Sequence, residues 1–231
     1  MHRCLKPELL DELPPTDRHA IGSRRDLERL NLLMGHAAIL GRALTKIRRR
    51  SPPKRIVELG AGDGTLLLKA ARKLPRTWAG TKLLLVDRQE IVSSGTRMRF
   101  NEIGWSIETC TADVFDWIAQ PGIKKGDAIV ANLFLHHFSD PQLQKLFEAV
   151  SKQAEALIAI EPRRSRLSLA FSKMLWFIGC NHVTRHDAFI SVQAGFNQTD
   201  LSRLWTTGSD WLLGERSAGW FSHELVAVRD S

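Results

Sequence analysis

Cysteine is scarce: Cys4, Cys110 and Cys180 are an odd number, widely separated, and form no Cys-x-x-Cys pair. That argues against a zinc knuckle or a disulfide framework and fits a reducing compartment. Long apolar runs are also missing. Nothing approaches the roughly 18 to 20 consecutive apolar residues of a membrane span. The stretch from Met1 to Pro15 interrupts its apolar residues with acids and prolines, so no signal-peptide core is expected there. With only 9 Pro and 16 Gly against 43% hydrophobic and 25% charged residues, collagen-like and disordered chains are unsupported. The expectation is a folded, cytoplasmic protein.

At 231 residues the chain suits one full domain with embellishment. Lys plus Arg is 33 and Asp plus Glu 25, so the formal charge is 33 − 25 = +8. Two basic stretches, Arg48 to Arg55 and Arg163 to Arg166, contribute disproportionately. A solvated face, an anionic small molecule or membrane surface, and a nucleic acid are all compatible with that balance. Aromatic residues are not interleaved with the basic runs, which makes a nucleic-acid partner the least favoured of the three.

The hydrophobic period changes along the chain. Asp26 to Ile47 carries a helical stripe that Ser51-Pro52-Pro53 stops. Strands are expected at Arg55 to Leu59, Lys82 to Val86, Ser106 to Cys110, Asp127 to Phe134 and Ala156 to Ile160. Helical spacing separates them at Thr65 to Leu74, Asp87 to Asn101 and Asp140 to Gln153, with Ser139 as cap of the last. Arg166 to Ile178 and Arg185 to Ala194 read as further helices, and Asp210 to Leu213 and Phe221 to Val228 as strands. This alternation predicts an α/β fold, a mostly parallel sheet with an antiparallel edge. The boundaries expected are an N-terminal helical extension over 1–54 contributing to the pocket and a main domain over 55–231. Within the latter, 163–205 is a helical insertion facing the substrate.

The first strand runs into Gly60-Ala61-Gly62-Asp63-Gly64, where absent Cβ atoms permit a tight turn and close ligand approach. The Lys-Ser/Thr ending of a phosphate loop is missing, which argues against an ATP hydrolase. Asp87 ends the second strand, where a carboxylate can accept both hydroxyls of a ribose or cap a helix. Asp113 follows the third strand and is placed either to accept from an exocyclic adenine amine or, like nearby Asp116, to serve a turn or cap.

Together, Val57-Glu58-Leu59-Gly60-Ala61-Gly62-Asp63-Gly64, the apolar strand ending at Asp87, Thr111 to Trp117 around Asp113, and Asn132 to Phe138 resemble a class I S-adenosylmethionine-dependent methyltransferase. The resemblance covers about Arg55 to Pro162. It implies a Rossmann-like, seven-stranded, mostly parallel sheet with an antiparallel last strand and helices on both faces. It further implies S-adenosyl-L-methionine as cofactor. Glu58, Gly60, Ala61, Gly62 and Gly64 would flank its methionine part, Asp87 its ribose and Asp113 its adenine, with Val114 and Phe115 on the adenine face. Arg88 and Asn132 complete that set. Leu133 to Phe138 resembles the small-molecule branch related to ubiquinone and menaquinone biosynthesis. Amino methyltransferases of nucleic acids often place Asp/Asn-Pro-Pro-Tyr here, whereas this chain has Asn132-Leu133-Phe134-Leu135 and no tyrosine anywhere.

Methyl transfer needs mainly in-line orientation and exclusion of water. If the acceptor is a hydroxyl, a histidine is the natural base, and His137 and then His136 are the first candidates. Either also suits a cap at the strand-to-helix junction. Neither belongs to an HExxH or clustered acidic pattern, so metal-independent transfer is expected. His182, Arg185 and His186, with Asp187 to orient one histidine, form a second polar concentration suited to a phenolate or carboxylate, or to caps and salt bridges. His186 is a further candidate base. Met174, Trp176, Phe177 and Phe189 are candidate apolar walls, or ordinary core. The leading expectation is methylation of a small aromatic or polyketide-like acceptor at oxygen. An RNA or protein methyltransferase, and a noncatalytic cofactor-binding scaffold, are the alternatives.

Overall fold

The computed structural model describes residues 1–47, 51–206 and 210–230, so Arg48, Arg49 and Arg50 of the first basic stretch lie outside the described residues. The N-terminal region folds as a single helical turn α1 (Leu9–Glu12), then α2 (Arg18–Leu33) and α3 (His36–Ile47). The stripe read as one helix is therefore two. Gly35 adopts φ +68°, a left-handed conformation that ends α2 and that glycine takes without steric cost.

The remainder runs β1 (Arg55–Leu59), α4 (Thr65–Ala71), β2 (Lys82–Asp87), α5 (Ser94–Glu102), β3 (Ser106–Thr111), α6 (Val114–Ala119), β4 (Ala128–Asn132), α7 (Asp140–Gln153) and β5 (Ala156–Pro162). After it come α8 (Arg166–Lys173), α9 (His182–Ala194), β6 (Trp211–Ala218) and β7 (Ser222–Arg229). The strands form one seven-stranded sheet in the order β3-β2-β1-β4-β5-β7-β6. The first five are parallel, and β7 enters antiparallel to both β5 and β6.

Strand alternation divides the core between the two faces. Val57, Leu59, Ile129, Ala131, Leu157 and Ala159 face α6 and α7 through Trp117, Leu143 and Phe147. Ile56, Leu83, Leu85, Val130 and Ile158 face α3, α4 and α5 through Leu40, Leu44, Leu67 and Phe100. The strand order reverses at β1, whose neighbours are β2 and β4. In open α/β sheets a crevice forms outside the carboxyl ends at such a reversal.

Two departures from the expected elements shape that crevice. The fourth strand stops at Asn132 because Leu133 takes φ +51°, and Leu135–His137 then forms a turn of 3-10 helix. The helix expected from Asp87 begins only at Ser94, capped by Ser93, which leaves residues 88–93 as a loop at the strand end. The long helix read over Arg166 to Ile178 is likewise α8 followed by a 3-10 turn at Leu175–Ile178, stopped by Gly179 at φ +78°. Asn181 then caps α9.

Candidate active site

A cleft of about 430 Å³ opens over the carboxyl ends of β1 to β4. Gly60, Ala61, Gly62 and Asp63 come from the first loop, Asp87, Arg88 and Gln89 from the second, Asp113 and Val114 from the third, and Asn132, Phe134 and His137 from the fourth. The N-terminal region closes the other side with Glu8, Asp11, Arg24 and Asn31 among others.

The glycine turn is tied to the neighbouring strand. Gly60 and Ala61 donate their backbone N–H groups to Val86 O at 2.9 and 3.2 Å. Gly60 has φ +66°, and a Cβ there would stand 2.1 Å from the Phe134 ring. The Asp87 carboxylate takes Gly62 N at 2.8 Å on one oxygen and Gln89 N at 2.9 Å on the other. It thus pins two loops together while facing the cleft, and it does not cap α5. Asp113 caps α6 by accepting from Phe115 N at 2.8 Å and lines the cleft as well.

The polar surface of this cleft has a sign opposite to that of the chain. Glu8, Asp11, Glu28, Glu58, Asp63, Asp87 and Asp113 line it against two arginines, Arg24 and Arg88. Burial, followed by the nearby Asp63 and Asp87 carboxylates, pushes the Glu58 carboxyl well above its usual range. Its Oε2, together with Asn132 Oδ1 and Asn31 Oδ1, is buried without a hydrogen-bond partner in the protein. Buried acceptors of this kind fit a ligand that brings donors, and the surrounding carboxylates favour one that brings positive charge.

The adjacent histidines separate into two roles. His136 is buried, with Nδ1 2.8 Å from Glu161 Oε2 and Nε2 3.2 Å from Glu8 Oε1. Burial opposes its charge, but the two carboxylates outweigh it and push its pKa up to about 9. In Glu8 the same contacts overcome burial and pull the pKa down to about 2. His137 lines the cleft with Nδ1 3.4 Å from Asp11 Oδ2. Burial first and the charge on His136 second lower its pKa, against the opposing pull of Glu8, Asp11 and Glu161. A neutral imidazole at neutral pH follows.

Glu8, His136 and His137 also bring potential ligand atoms within 4.8 Å of one another. Both ring nitrogens of His136 already face carboxylates, an arrangement that holds an imidazolium and leaves that ring no lone pair for a cation.

Among the other expected site residues, Gly64 stands just behind the cleft at φ +72°, before the first residue of α4. The Phe115 ring packs edge-on against Phe138 at 5.1 Å between centroids and does not line the cleft. His182, Arg185, His186 and Phe189 gather in a separate groove with Ser172, Lys173 and Trp176. There His186 Nδ1 meets Asp187 at 2.9 Å. Met174 and Phe177 line neither cavity and are exposed. Both flank or belong to the 3-10 turn that Gly179 ends, outside the two cavities.

Sequence reasoning missed Glu161, Glu8 and Asp11. Glu161 carried a signal, being a lone carboxylate at the carboxyl end of an otherwise apolar central strand. Glu8 and Asp11 carried none, because their partners are about 125 residues or more away. Arg3 locks their segment down, donating to Phe138 O at 2.7 Å, Ala194 O at 2.8 Å and Asp140 at 2.8 Å. Leu9 N and Leu10 N both donate to Asp187 at 2.9 Å.

Residues 56–155 match the family model described as a methyltransferase domain. No curated protein gives a match. Among solved structures, the plantazolicin methyltransferase BpumL in complex with SAH superposes with a TM-score of 0.64 at 12% identity, over 94% of this chain and 92% of that one. The plantazolicin methyltransferase BamL, with a triazolic desmethylPZN analog and SAH, gives 0.64 at 11% identity over 96% and 93%. An O-methyltransferase family protein from Burkholderia thailandensis gives 0.58 at 17% identity over 93% and 60%. At these identities the likeness is one of fold.

Proposed function

We propose that this chain is an S-adenosyl-L-methionine-dependent methyltransferase of the small-molecule O-methyltransferase branch, acting on an aromatic or polyketide-like acceptor. The observation that carries the reading is the sharing of one cleft by the Gly60–Gly62 turn, Asp87, Asp113 and His137. The methyltransferase-domain match over 56–155 and the SAH-bound relatives of the same fold support it. The narrower likeness of Leu133–Phe138 to the ubiquinone and menaquinone enzymes remains part of this proposal.

The residues present fit the cofactor. It carries a sulfonium and an ammonium group, and the cleft is lined by carboxylates although the chain as a whole is basic. That lining also disfavours a polyanionic acceptor such as RNA. Asp87 would take the ribose hydroxyls on the lone pairs left after Gly62 N and Gln89 N. Asp113 would take the adenine amine, and Glu58 and Asn132 offer unpaired acceptors to the methionine part.

When bound, the cofactor supplies a methyl group made electrophilic by its sulfonium. The protein aligns the acceptor and removes its proton. His137 faces Asp11 through Nδ1 at 3.4 Å, which leaves Nε2 as the basic nitrogen, and the hydroxyl proton goes there. His136 stays charged between Glu161 and Glu8. In that state it positions the loop carrying His137 and discourages a second imidazolium beside it.

The test is to incubate the purified protein with S-adenosyl-L-methionine and a set of phenolic acceptors, following S-adenosylhomocysteine release and acceptor mass. A one-methyl gain on a phenol supports the proposal. Calorimetry showing no cofactor binding by the folded protein would overturn it.

A further inference from the structure

Large apolar side chains are exposed on segments that pack against one another. Leu33, Leu167, Trp176, Phe177, Ile178 and Trp220 are all more than half exposed, Trp220 reaching 73%. They come from three segments that meet in the fold. Leu30 of α2 forms one buried cluster with Leu175 and Cys180, against which Met34 and Phe171 pack. Phe171 stacks on Phe221 at 4.3 Å, which brings the β6–β7 turn and Trp220 to the same side. Trp176 and Phe177 stack on each other at 3.8 Å, a pair that presents a broad aromatic surface to solvent. A patch of this kind on a small protein marks an interaction surface.

The exposed charged side chains of the segment from α8 into α9 are all basic. Residues 163–186 hold five basic residues, Arg163, Arg164, Arg166, Lys173 and Arg185, and no Asp or Glu. Arg216 to His223, around Trp220, has no acid either. Arg166, Lys173 and Arg185 are exposed. Lys173 and Arg185 line, with Ser172, Trp176 and His182, the groove that adjoins the aromatic pair. The cleft over the sheet is lined by acids instead.

We infer that this face docks on an anionic lipid bilayer. Exposed Trp, Phe, Ile and Leu enter the boundary between headgroups and acyl chains, and the basic residues beside them meet the negative surface. Hydrophobic and electrostatic signals act together, the combination that stable peripheral binding requires. A second copy of the chain fits less well, since a two-fold interface would bring together two faces carrying the same exposed basic residues. Among the described residues no helix is long and apolar enough to cross a membrane, so the contact lies in the plane of the interface.

The experiment is flotation of the purified full chain with vesicles of phosphatidylcholine alone or mixed with phosphatidylglycerol, at low and high salt. Binding to the mixed vesicles is expected, weaker by at least about tenfold without the anionic lipid or at high salt. The double variant F177S/W220S should lose at least about tenfold in vesicle affinity while its circular dichroism and cofactor binding match the wild type. R166E/K173E should do the same through charge alone. Absence of vesicle binding, or binding equal in the wild type and both variants, would overturn the inference. So would the finding that F177S/W220S abolishes self-association in ultracentrifugation while vesicle binding is absent, which would make the face an interface between copies.

Discussion

The wholly buried carboxylate of Glu161 accepts from Nδ1 of His136 at 2.8 Å and from three successive backbone N–H groups, those of Phe134, Leu135 and His136, at 3.1, 2.8 and 3.3 Å. One side chain at the end of β5 thereby fixes the whole turn that follows β4. That turn carries His137 into the cleft and sets the Phe134 ring against Gly60.

Glu161→Ala should therefore do more than delete an ion pair. It leaves His136 buried with one carboxylate and deprives three backbone N–H groups of their acceptor. Breaking a buried pair on one side costs roughly 3 to 5 kcal/mol, and unfolding in urea should show a loss of that order. An unchanged midpoint would mean that the turn holds without Glu161.

Much of the sheet was legible because its signals are local. Four of the five parallel strands are short apolar runs bounded by turn residues, and the glycine turn and Asp87 sit where a β-α-β pattern puts them. The acid–histidine constellation was legible only in part. His136 and His137 are adjacent in sequence and chemically identical, and what separates them is burial between Glu161 and Glu8, a long-range outcome of packing. Glu8 reaches His136 across 128 positions in the chain, and no periodicity marks it. Met174 and Phe177 lie apart from the cleft. Their apolar character suits a pocket wall or core, and both are exposed beside the 3-10 turn that Gly179 ends.

His137→Asn should reduce turnover by about 100-fold or more while leaving cofactor affinity unchanged, since general-base catalysis contributes on that scale. The pH profile carries the distinguishing sign. His137 acts as the free base, and its pKa is lowered from 6.5 by burial and by His136. The acid limb of kcat/KM should thus fall below pH 6.5 and vanish in the variant. A variant with wild-type turnover would remove His137 from the chemistry.

Asp87→Ala tests the other end of the cleft. The substitution removes the acceptor for Gly62 N and Gln89 N along with the one proposed for the ribose. Hydrogen bonds to a charged group contribute roughly 1.5 to 3 kcal/mol, so the dissociation constant for S-adenosyl-L-methionine should rise about tenfold to 100-fold. Calorimetry on the folded variant measures this directly, and an unaltered constant would exclude Asp87 from the cofactor site.

Gly60→Ala should be disabling for a reason independent of the cofactor. The position requires φ +66°, and its new methyl would meet the Phe134 ring at 2.1 Å. Relief demands that Phe134 swing away or that the turn open, and Phe134 is anchored through its N–H to Glu161. Thermal melting should show a loss of at least about 1 kcal/mol, accompanied by weakened cofactor binding. A variant as stable as the wild type would show that the loop has room the close approach denies.

The imidazolium of His136 links stability to pH in a window set by its own shift. Its pKa is raised in the folded protein from 6.5 to about 9. A group raised on folding contributes fully below its unfolded value and loses that contribution as pH climbs through the folded one. Glu8 is depressed from 4.5 to about 2, so its share is present above pH 4.5 and fades as pH falls through about 2. The two overlap between pH 4.5 and 6.5, where the clamp holding the N-terminal segment over the cleft is strongest. From pH 6.5 to 9 the unfolding free energy should decline by up to about 3 kcal/mol, by the conversion of pKa shift to free energy. In His136→Gln, which cannot carry the charge, the slope over that interval should disappear. Hydrogen exchange at Leu9 and Leu10, whose N–H groups bond to Asp187, should accelerate beyond its intrinsic pH dependence over the same interval in the wild type alone. A wild-type slope that survives in His136→Gln would assign the alkaline loss to some other group and detach the clamp from the titration of His136.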